Sequence, residues 1–330
     1  MIKVAMVGLG GMGSTHYNLY RQMEDVELVA LVDVEESRVR EKAAACGARA
    51  YTDFSEMLEK ESPDYVDIAT PSYTHAQLAI EAMERGISVL SEKPAALQPE
   101  DIMEVYRCAE KNQVFFMAAH VLRFWPEYQR LRAAVQEKKY GELLHLNLWR
   151  TGEKPRTSRQ NWMLDPEKSG MVPYDLHIHD VDFMIFLLGR PESCSAFEIC
   201  QGQTNNYIRA NYRYSHGLEV CAEAAWYSGK APFSMGYEAI LEGGAAIFRD
   251  GRLLWYPNDQ EPQEIAQEQC VPQGLSEINV GDTQGYYNEI RYFIRCVEEN
   301  RFPEAVKEQE LLDTLWLIDW ECRQGKKNNQ

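Results

Sequence analysis

The sequence predicts an α/β chain in two parts: a doubly wound parallel sheet over residues 1–121, then an α+β domain with a large, mostly antiparallel open sheet over 122–330. Three observations carry that reading. The first part alternates short apolar runs with amphipathic stretches, the order of repeated βαβ units with right-handed crossovers. A glycine-rich turn follows the first apolar run directly. From Ser193 to Tyr256, strand-like runs succeed one another with only short turns between them, as antiparallel neighbours do. The 330 residues, 45% apolar and 26% charged, leave room for two or three domains and exclude a disordered or collagen-like chain.

In chain order, Val4–Val7, Leu28–Val32, Tyr65–Thr70, Ile87–Leu90 and Val114–Ala119 lack polar alternation, which suits strands covered on both faces. Between them Gly13–Met23, Glu36–Ala45, Ser55–Glu61, Thr74–Arg85 and Pro99–Lys111 carry helical patterns, and Gly47, Pro63, Gly86 and Pro99 mark junctions. After Arg123 the texture changes. A helical stretch, Glu127–Lys138, leads to a strand, Leu143–Arg150, and a polar loop from Thr151 to Ser169. One apolar helix then runs from Asp175 to Leu188 and stops at Gly189 and Pro191. Gly202, Ser215-His216-Gly217, Gly229 and Gly243-Gly244 separate the later strands. Tyr287–Glu299 and Glu308–Cys322 are expected as closing helices, with Gly325–Gln330 as a frayed tail.

Acidic residues number 51 against 34 Lys and Arg, a net charge of −17. That balance repels phosphate backbones and anionic lipid, so nucleic acid and membrane are poor partners. It leaves open an anionic cofactor held by backbone amides. No apolar run reaches the ~20 residues a bilayer needs, and the N-terminus lacks the features of a signal peptide. The eight cysteines (46, 108, 194, 200, 221, 270, 296 and 322) form no C-x-x-C pair, so zinc spacing is absent and no metal is expected. Scattered thiols read as reduced core residues of a cytoplasmic protein.

Gly8-Leu9-Gly10-Gly11-Met12-Gly13 fits G-x-G-x-x-G between a strand and a helix. The spacing alone is a weak signal; the strand–turn–helix context makes it a strong one. Gly8 permits the tight turn, Gly10 lets a pyrophosphate approach, and Gly13 lets helix and strand touch. Asp33, twenty residues on, ends the second strand, where a carboxylate accepts the adenosine ribose hydroxyls and repels a 2′-phosphate. NAD is therefore expected over NADP, with Arg38 near enough to keep the second open.

Thr70-Pro71-Ser72-Tyr73-Thr74-His75 and Ser91-Glu92-Lys93-Pro94 both follow parallel strands, at the carboxyl ends where open sheets bind ligands. A cis Lys93–Pro94 bond there would aim the ammonium into the crevice. The densest polar cluster is Asp175-Leu176-His177-Ile178-His179-Asp180-Val181-Asp182. On a regular helix Asp175, His179 and Asp182 share a face. That set reads as an acid–base group, as a poor metal site, or as a helix cap beside a packed histidine.

Together the glycine loop, Asp33, Thr70-Pro71…His75, Glu92-Lys93-Pro94 and Asp175-x-x-x-His179 resemble the glucose–fructose oxidoreductase/inositol dehydrogenase family (Gfo/Idh/MocA), over most of the chain. The resemblance implies an N-terminal Rossmann domain and a C-terminal open-sheet domain that builds homodimers or homotetramers. It implies NAD(P)-dependent redox chemistry on a sugar, inositol or related polyol. By that resemblance Lys93 touches nicotinamide ribose and substrate hydroxyl, Asp175 binds substrate, and His179 is the acid/base. Gly8, Gly10, Gly11, Met12, Gly13, Asp33, Arg38, Thr70, Pro71, His75, Glu92 and Lys93 become the cofactor set.

Two positions depart from the family pattern. Ser169-Gly170-Met171 replaces a glycine run, and His177 stands where a glycine is usual, either as an added polar contact or facing the core. Arg123, Trp162 and Tyr237 are the remaining candidate substrate contacts, with the loop Arg156–Trp162 as a cap. Trp149, Trp226 and Trp255 read as packing or pocket walls, and His16, His120, His145 and His216 have no partner visible in sequence. The rival readings are an NAD-dependent glycosidase-type hydrolase that oxidises its sugar transiently, a non-catalytic nucleotide-binding regulator, and a metal-dependent hydrolase or isomerase.

Overall fold

A computed structural model describes residues 1–156, 159–201, 204–266 and 270–328. Gly202 and part of the loop Arg156–Trp162 lie outside the described residues. Two compact units emerge: Met1–Val121 with Cys270–Leu311, and Leu122–Gln269 with Leu312–Gln330.

The first unit holds β1 (Ile2–Val7), α1 (Gly11–Tyr20), β2 (Val26–Val32), α2 (Glu36–Cys46), β3 (Arg49–Tyr51), α3 (Phe54–Lys60), β4 (Tyr65–Ile68), α4 (His75–Met83), β5 (Ser88–Glu92), α5 (Pro99–Asn112) and β6 (Phe116–Ala119). All strands are parallel, in the order β3-β2-β1-β4-β5-β6. That is the doubly wound order, with its switch point between β1 and β4. β4, β5 and β6 are buried at every residue, as their unalternated apolar character requires. The three-residue β3 escaped the sequence reading because Arg49-Ala50-Tyr51 is too short and too exposed to carry a pattern.

The second unit contains α6 (Pro126–Gln136), β7 (Leu143–Glu153), α7 (Pro166–Ser169) and α8 (Ile178–Leu188). Strands β8 (Ser193–Gln201), β9 (Thr204–Arg213), β10 (Glu219–Tyr227), β11 (Ser234–Leu241), β12 (Gly244–Arg249), β13 (Arg252–Pro257) and β14 (Gln263–Ile265) follow. The eight strands order as β14-β13-β12-β11-β7-β10-β9-β8, antiparallel throughout except for β7 beside β10. Period-two alternation splits this sheet. Leu146, Leu148, Ala222, Ala224, Trp226, Tyr237 and Phe248 turn to a buried face. Pairing register puts Phe197, Ile199, Tyr227, Ile240 and Tyr256 on the opposite one, all partly exposed.

Helix α9 (Gln284–Glu298) belongs to the first unit, although the sequence reading placed it in a domain over 122–330. Its buried Ile290, Phe293 and Ile294 account for that: each contributes about 1.5–3 kcal/mol by leaving water. The Phe293 ring meets Tyr65 of β4 edge-on at 5.2 Å, and Arg291 donates to Asp25 at 2.7 Å. Helix α10 (Glu308–Asn328) continues past Cys322 through most of the stretch expected to fray. The cysteines are also less uniform than expected: Cys221 and Cys296 are buried, whereas Cys200 and Cys270 are exposed.

Candidate active site

The glycine loop joins β1 to α1. Gly8 has φ +87°, and a Cβ there would sit 2.5 Å from the Ala69 carbonyl oxygen, so only glycine turns the chain here. A Cβ on Gly13 would collide with the Gly8 carbonyl. Around Gly10 there is open space to 4 Å, and α1 begins without any side-chain cap. Its first-turn amides are thus offered outward, together with the positive end of the helix dipole. Those features fit a dinucleotide pyrophosphate. Residues 276–278 pack beside this turn: Ile278 Cγ2 lies 3.0 Å from a Gly11 Cβ, and the Glu277 amide donates to Thr15 Oγ1 at 3.0 Å. No sequence signal pointed to them.

Asp33 is nearly buried just after β2. Its Oδ2 accepts the Leu9 amide of the glycine loop at 2.7 Å, and its Oδ1 accepts the Glu35 amide at 2.8 Å. Arg38 Nη1 stands 3.3 Å from both oxygens. The carboxylate therefore braces the loop, with further lone pairs for the hydroxyls of a ribose diol.

Beyond β4 and β5 the loops are tied together by His75. It is buried, with Nε2 2.8 Å from the Thr70 carbonyl and Nδ1 2.8 Å from that of Pro94. Burial lowers its pKa below the ordinary imidazole value, against the two carbonyls. His75, expected as a cofactor contact, stands between the loop after β4 and the loop after β5, next to Lys93–Pro94. The Lys93–Pro94 bond is cis, and Lys93 is partly exposed. Glu92 is buried. It points to His16 of α1, not outward, and its Oε2 accepts the Lys93 backbone N–H at 3.1 Å.

His16 has in the fold the partners that were not visible in sequence. It is fully buried, with Nδ1 2.9 Å from Asp67 Oδ2 and Nε2 3.4 Å from Glu92 Oε1. Burial pulls its pKa down, but the two carboxylates outweigh burial and hold it well above the usual value. Burial raises the Glu92 carboxyl, yet His16 with Lys93 and His75 brings it below the normal range. The legible signal was Asp67 itself, a carboxylate inside an otherwise apolar, fully buried strand.

In the second unit Pro173–His177 forms one turn of π-helix leading into α8, a distortion that recurs at functional sites. Asp175 and His179 are partly exposed, whereas Asp180 and Asp182 are buried. Asp182 does not share their face as expected. It takes a two-pronged hydrogen bond from Arg123, Nε at 2.9 Å and Nη2 at 2.7 Å. Asp180 pairs likewise with Arg150 at 3.2 Å; burial raises its carboxyl pKa more than Arg150 lowers it. His177 faces the core: its Nε2 lies 2.9 Å from Glu321, which also accepts from the Tyr212 hydroxyl at 2.7 Å. Three buried links therefore seat α8 and present Asp175 and His179.

Two candidate substrate contacts move into the core. Arg123 is fully buried against Asp182. Tyr237 is fully buried, its hydroxyl donating to the Glu127 carbonyl at 2.9 Å, with Tyr128 and Phe248 against its ring. Trp162 is half-buried within the turn Arg159–Leu164. Trp226 packs in a core cluster, Trp255 stacks on Tyr140 at 4.6 Å, and Trp149 donates to Ser234. Among the described residues no group of three metal-ligating side chains forms, and no helix is long and apolar enough to cross a membrane.

A glycine cradle at an uncapped helix start, braced by a carboxylate after the second strand, defines the first unit as a dinucleotide-binding domain of Rossmann type. The chain belongs to the NAD-binding Gfo/Idh/MocA oxidoreductase family: residues 2–120 match its oxidoreductase, NAD-binding Rossmann-fold model, and residues 128–246 match its C-terminal domain. It is 31% identical over 185 residues to 2,7-anhydro-N-acetylneuraminate hydratase of Mediterraneibacter gnavus, covering 56% of this chain and 49% of that one. To myo-inositol 2-dehydrogenase of Thermotoga maritima it is 27% identical over 189 residues, 57% of this chain and 55% of the relative. The chain thus spans about half the length of the curated relatives it matches. In fold it is similar to levoglucosan dehydrogenase in complex with NADH and levoglucosan, with TM-score 0.83, 18% identity, and 99% and 97% of the two chains covered.

Proposed function

We propose that the protein is an NAD-dependent dehydrogenase or reductase of a secondary alcohol on a sugar, inositol or related polyol. The observation that carries this is the glycine cradle with open space at Gly10 and the Asp33 brace behind it. The amides of Gly10–Gly13 hold the pyrophosphate and Asp33 the adenosine ribose. When bound, nicotinamide supplies the hydride acceptor or donor. His179 takes the proton from the substrate hydroxyl oxygen in oxidation and returns it in reduction. The Lys93 ammonium stabilises negative charge on that oxygen, and Asp175 orients the substrate. The myo-inositol dehydrogenase relative supports a polyol substrate. The half-exposed row from Phe197 to Tyr256 supports a homodimer or homotetramer through the open sheet face.

One observation favours a second reading. The relative at 31% identity is named for a hydratase reaction, in which water is added with no net oxidation. On that reading the sugar is oxidised, altered by elimination or addition of water, and reduced again, with the cofactor retained. Incubating the protein with NAD and a panel of inositols, hexoses, sugar acids and anhydro-sugars separates the two. NADH accumulating in step with ketone is the expected result. Product formed without net NADH would establish the second reading in its place, and no turnover of any member would remove both.

A further inference from the structure

The first unit buries a charged chain that no step above uses. His16 lies three residues beyond Gly13, on the inner side of α1. Its ring stands between Asp67 of β4 and Glu92, the last residue of β5. Asp67 Oδ2 also accepts from the Tyr20 hydroxyl at 2.7 Å, to which the Tyr65 hydroxyl donates at 2.9 Å; the Tyr286 ring closes the side towards α9. On the far side, Glu92 Oε2 holds the Lys93 backbone N–H.

We infer that His16 is a positioning residue for Lys93, acting through Glu92. An imidazolium hydrogen-bonds Asp67 through Nδ1 and attracts Glu92 by its charge at Nε2; a neutral ring that keeps the Asp67 bond would turn a lone pair towards Glu92. Glu92 has two oxygens and two tasks. Its Oε1 lies 3.4 Å from His16 Nε2, an ion-pair contact without hydrogen-bond geometry, and its Oε2 accepts the amide of residue 93. The cation at one end thus holds in place the carboxylate that receives the amide at the other. A buried carboxylate without that cation takes up a proton, which weakens its hold on the amide, or swings towards water, which releases it. The helix that carries the phosphate cradle is thereby fastened to the backbone of the residue assigned the ammonium role. A hydrogen bond from the Lys93 amide to Glu92 alone would not connect those two functions; the histidine does. The inference rests on the proposed role of Lys93 for its catalytic consequence, but not for its structural one.

Hydrogen exchange at the Lys93 amide, beside turnover and NAD affinity, tests it in the full-length chain as wild type, His16→Gln, Glu92→Ala and the double variant. The expected result is exchange at Lys93 about tenfold faster in each single variant, the loss of one hydrogen bond of about 1.4 kcal/mol. NAD affinity should stay within about threefold, kcat should fall about tenfold, and the double variant should be no worse than either single one, because the two residues act in series. Glu92→Ala leaves His16 paired with Asp67, so it reports even if His16→Gln does not fold. Unchanged exchange at Lys93 in Glu92→Ala, or strictly additive losses of kcat in a folded double variant, would overturn the inference. Faster exchange in variants that keep full turnover would overturn the catalytic consequence of this positioning and leave only the structural tether of Lys93 to His16 standing.

Discussion

The two units each bury charge beneath the residues assigned to chemistry, but they balance it differently. Around α8 three buried side chains each have their own partner: Asp182 with Arg123, Asp180 with Arg150, His177 with Glu321. In the first unit one imidazole serves two carboxylates, Asp67 and Glu92. The guanidiniums of the first two links keep their charge across the working range, whereas the cation of the first unit's cluster is an imidazole, held well above its usual value by its two carboxylates. Fixed-charge links beneath Asp175 and His179 thus contrast with a protonation-dependent fastening of the Lys93 backbone.

The largest expected effect breaks one of the one-to-one pairs. Arg123→Met strands a fully buried carboxylate and should cost about 3–5 kcal/mol in urea denaturation, with part of it restored by adding Asp182→Asn. A loss below about 1 kcal/mol would show that Asp182 finds another partner and that α8 does not depend on this link. Next comes the glycine loop. Gly13→Ala should destabilise the fold and abolish NAD binding, since its Cβ collides with the Gly8 carbonyl. Gly10→Ala should change stability by only about 0.5 kcal/mol yet weaken NAD by more than about tenfold, because its Cβ enters space that only the phosphates need. Equal effects of the two alanines on stability would contradict the cradle as described.

Smaller, and aimed at the contrast itself, is the pH dependence. The folded pKa of His16 is raised, so its contribution is complete below its unfolded value of about 6.5 and is lost as pH rises through the folded value. Unfolding free energy should therefore fall from neutral towards alkaline pH in the wild type, and fall less in His16→Gln. Parallel curves for the two proteins would mean that His16 is neutral in the fold. The mildest expectation concerns cofactor choice. Asp33→Ser, with Arg38 half-exposed beside it, should shift the NAD-to-NADP affinity ratio by about tenfold towards NADP, measured by titration of each.

What could be read from the sequence was what is local. The glycine loop, Asp33, the unalternated strands and the motifs after β4 and β5 each occupy a few consecutive residues whose spacing carries the physics. Partnerships across the chain left no such trace: Arg123 and Asp182 are 59 residues apart, and His177 and Glu321 are 144 apart. Arg123 and Tyr237 stood as candidate substrate contacts while their partners were out of view. In the structure an internal carboxylate and a backbone carbonyl satisfy them. Helical spacing misjudged Asp182 because it cannot show that Arg123 draws this carboxylate into the core, while the π-turn before α8 shifts Asp175 against the helix. His177 was undecidable until Glu321 and Tyr212 came into view.

The most direct measurement is kcat for His179→Ala with an alcohol that the wild type oxidises, at saturating NAD, beside the NAD dissociation constant of the variant. Loss of an acid/base group should reduce kcat by about 10²–10⁴ while NAD affinity stays within about threefold. A variant that turns over within about threefold of the wild type would contradict proton exchange at that imidazole.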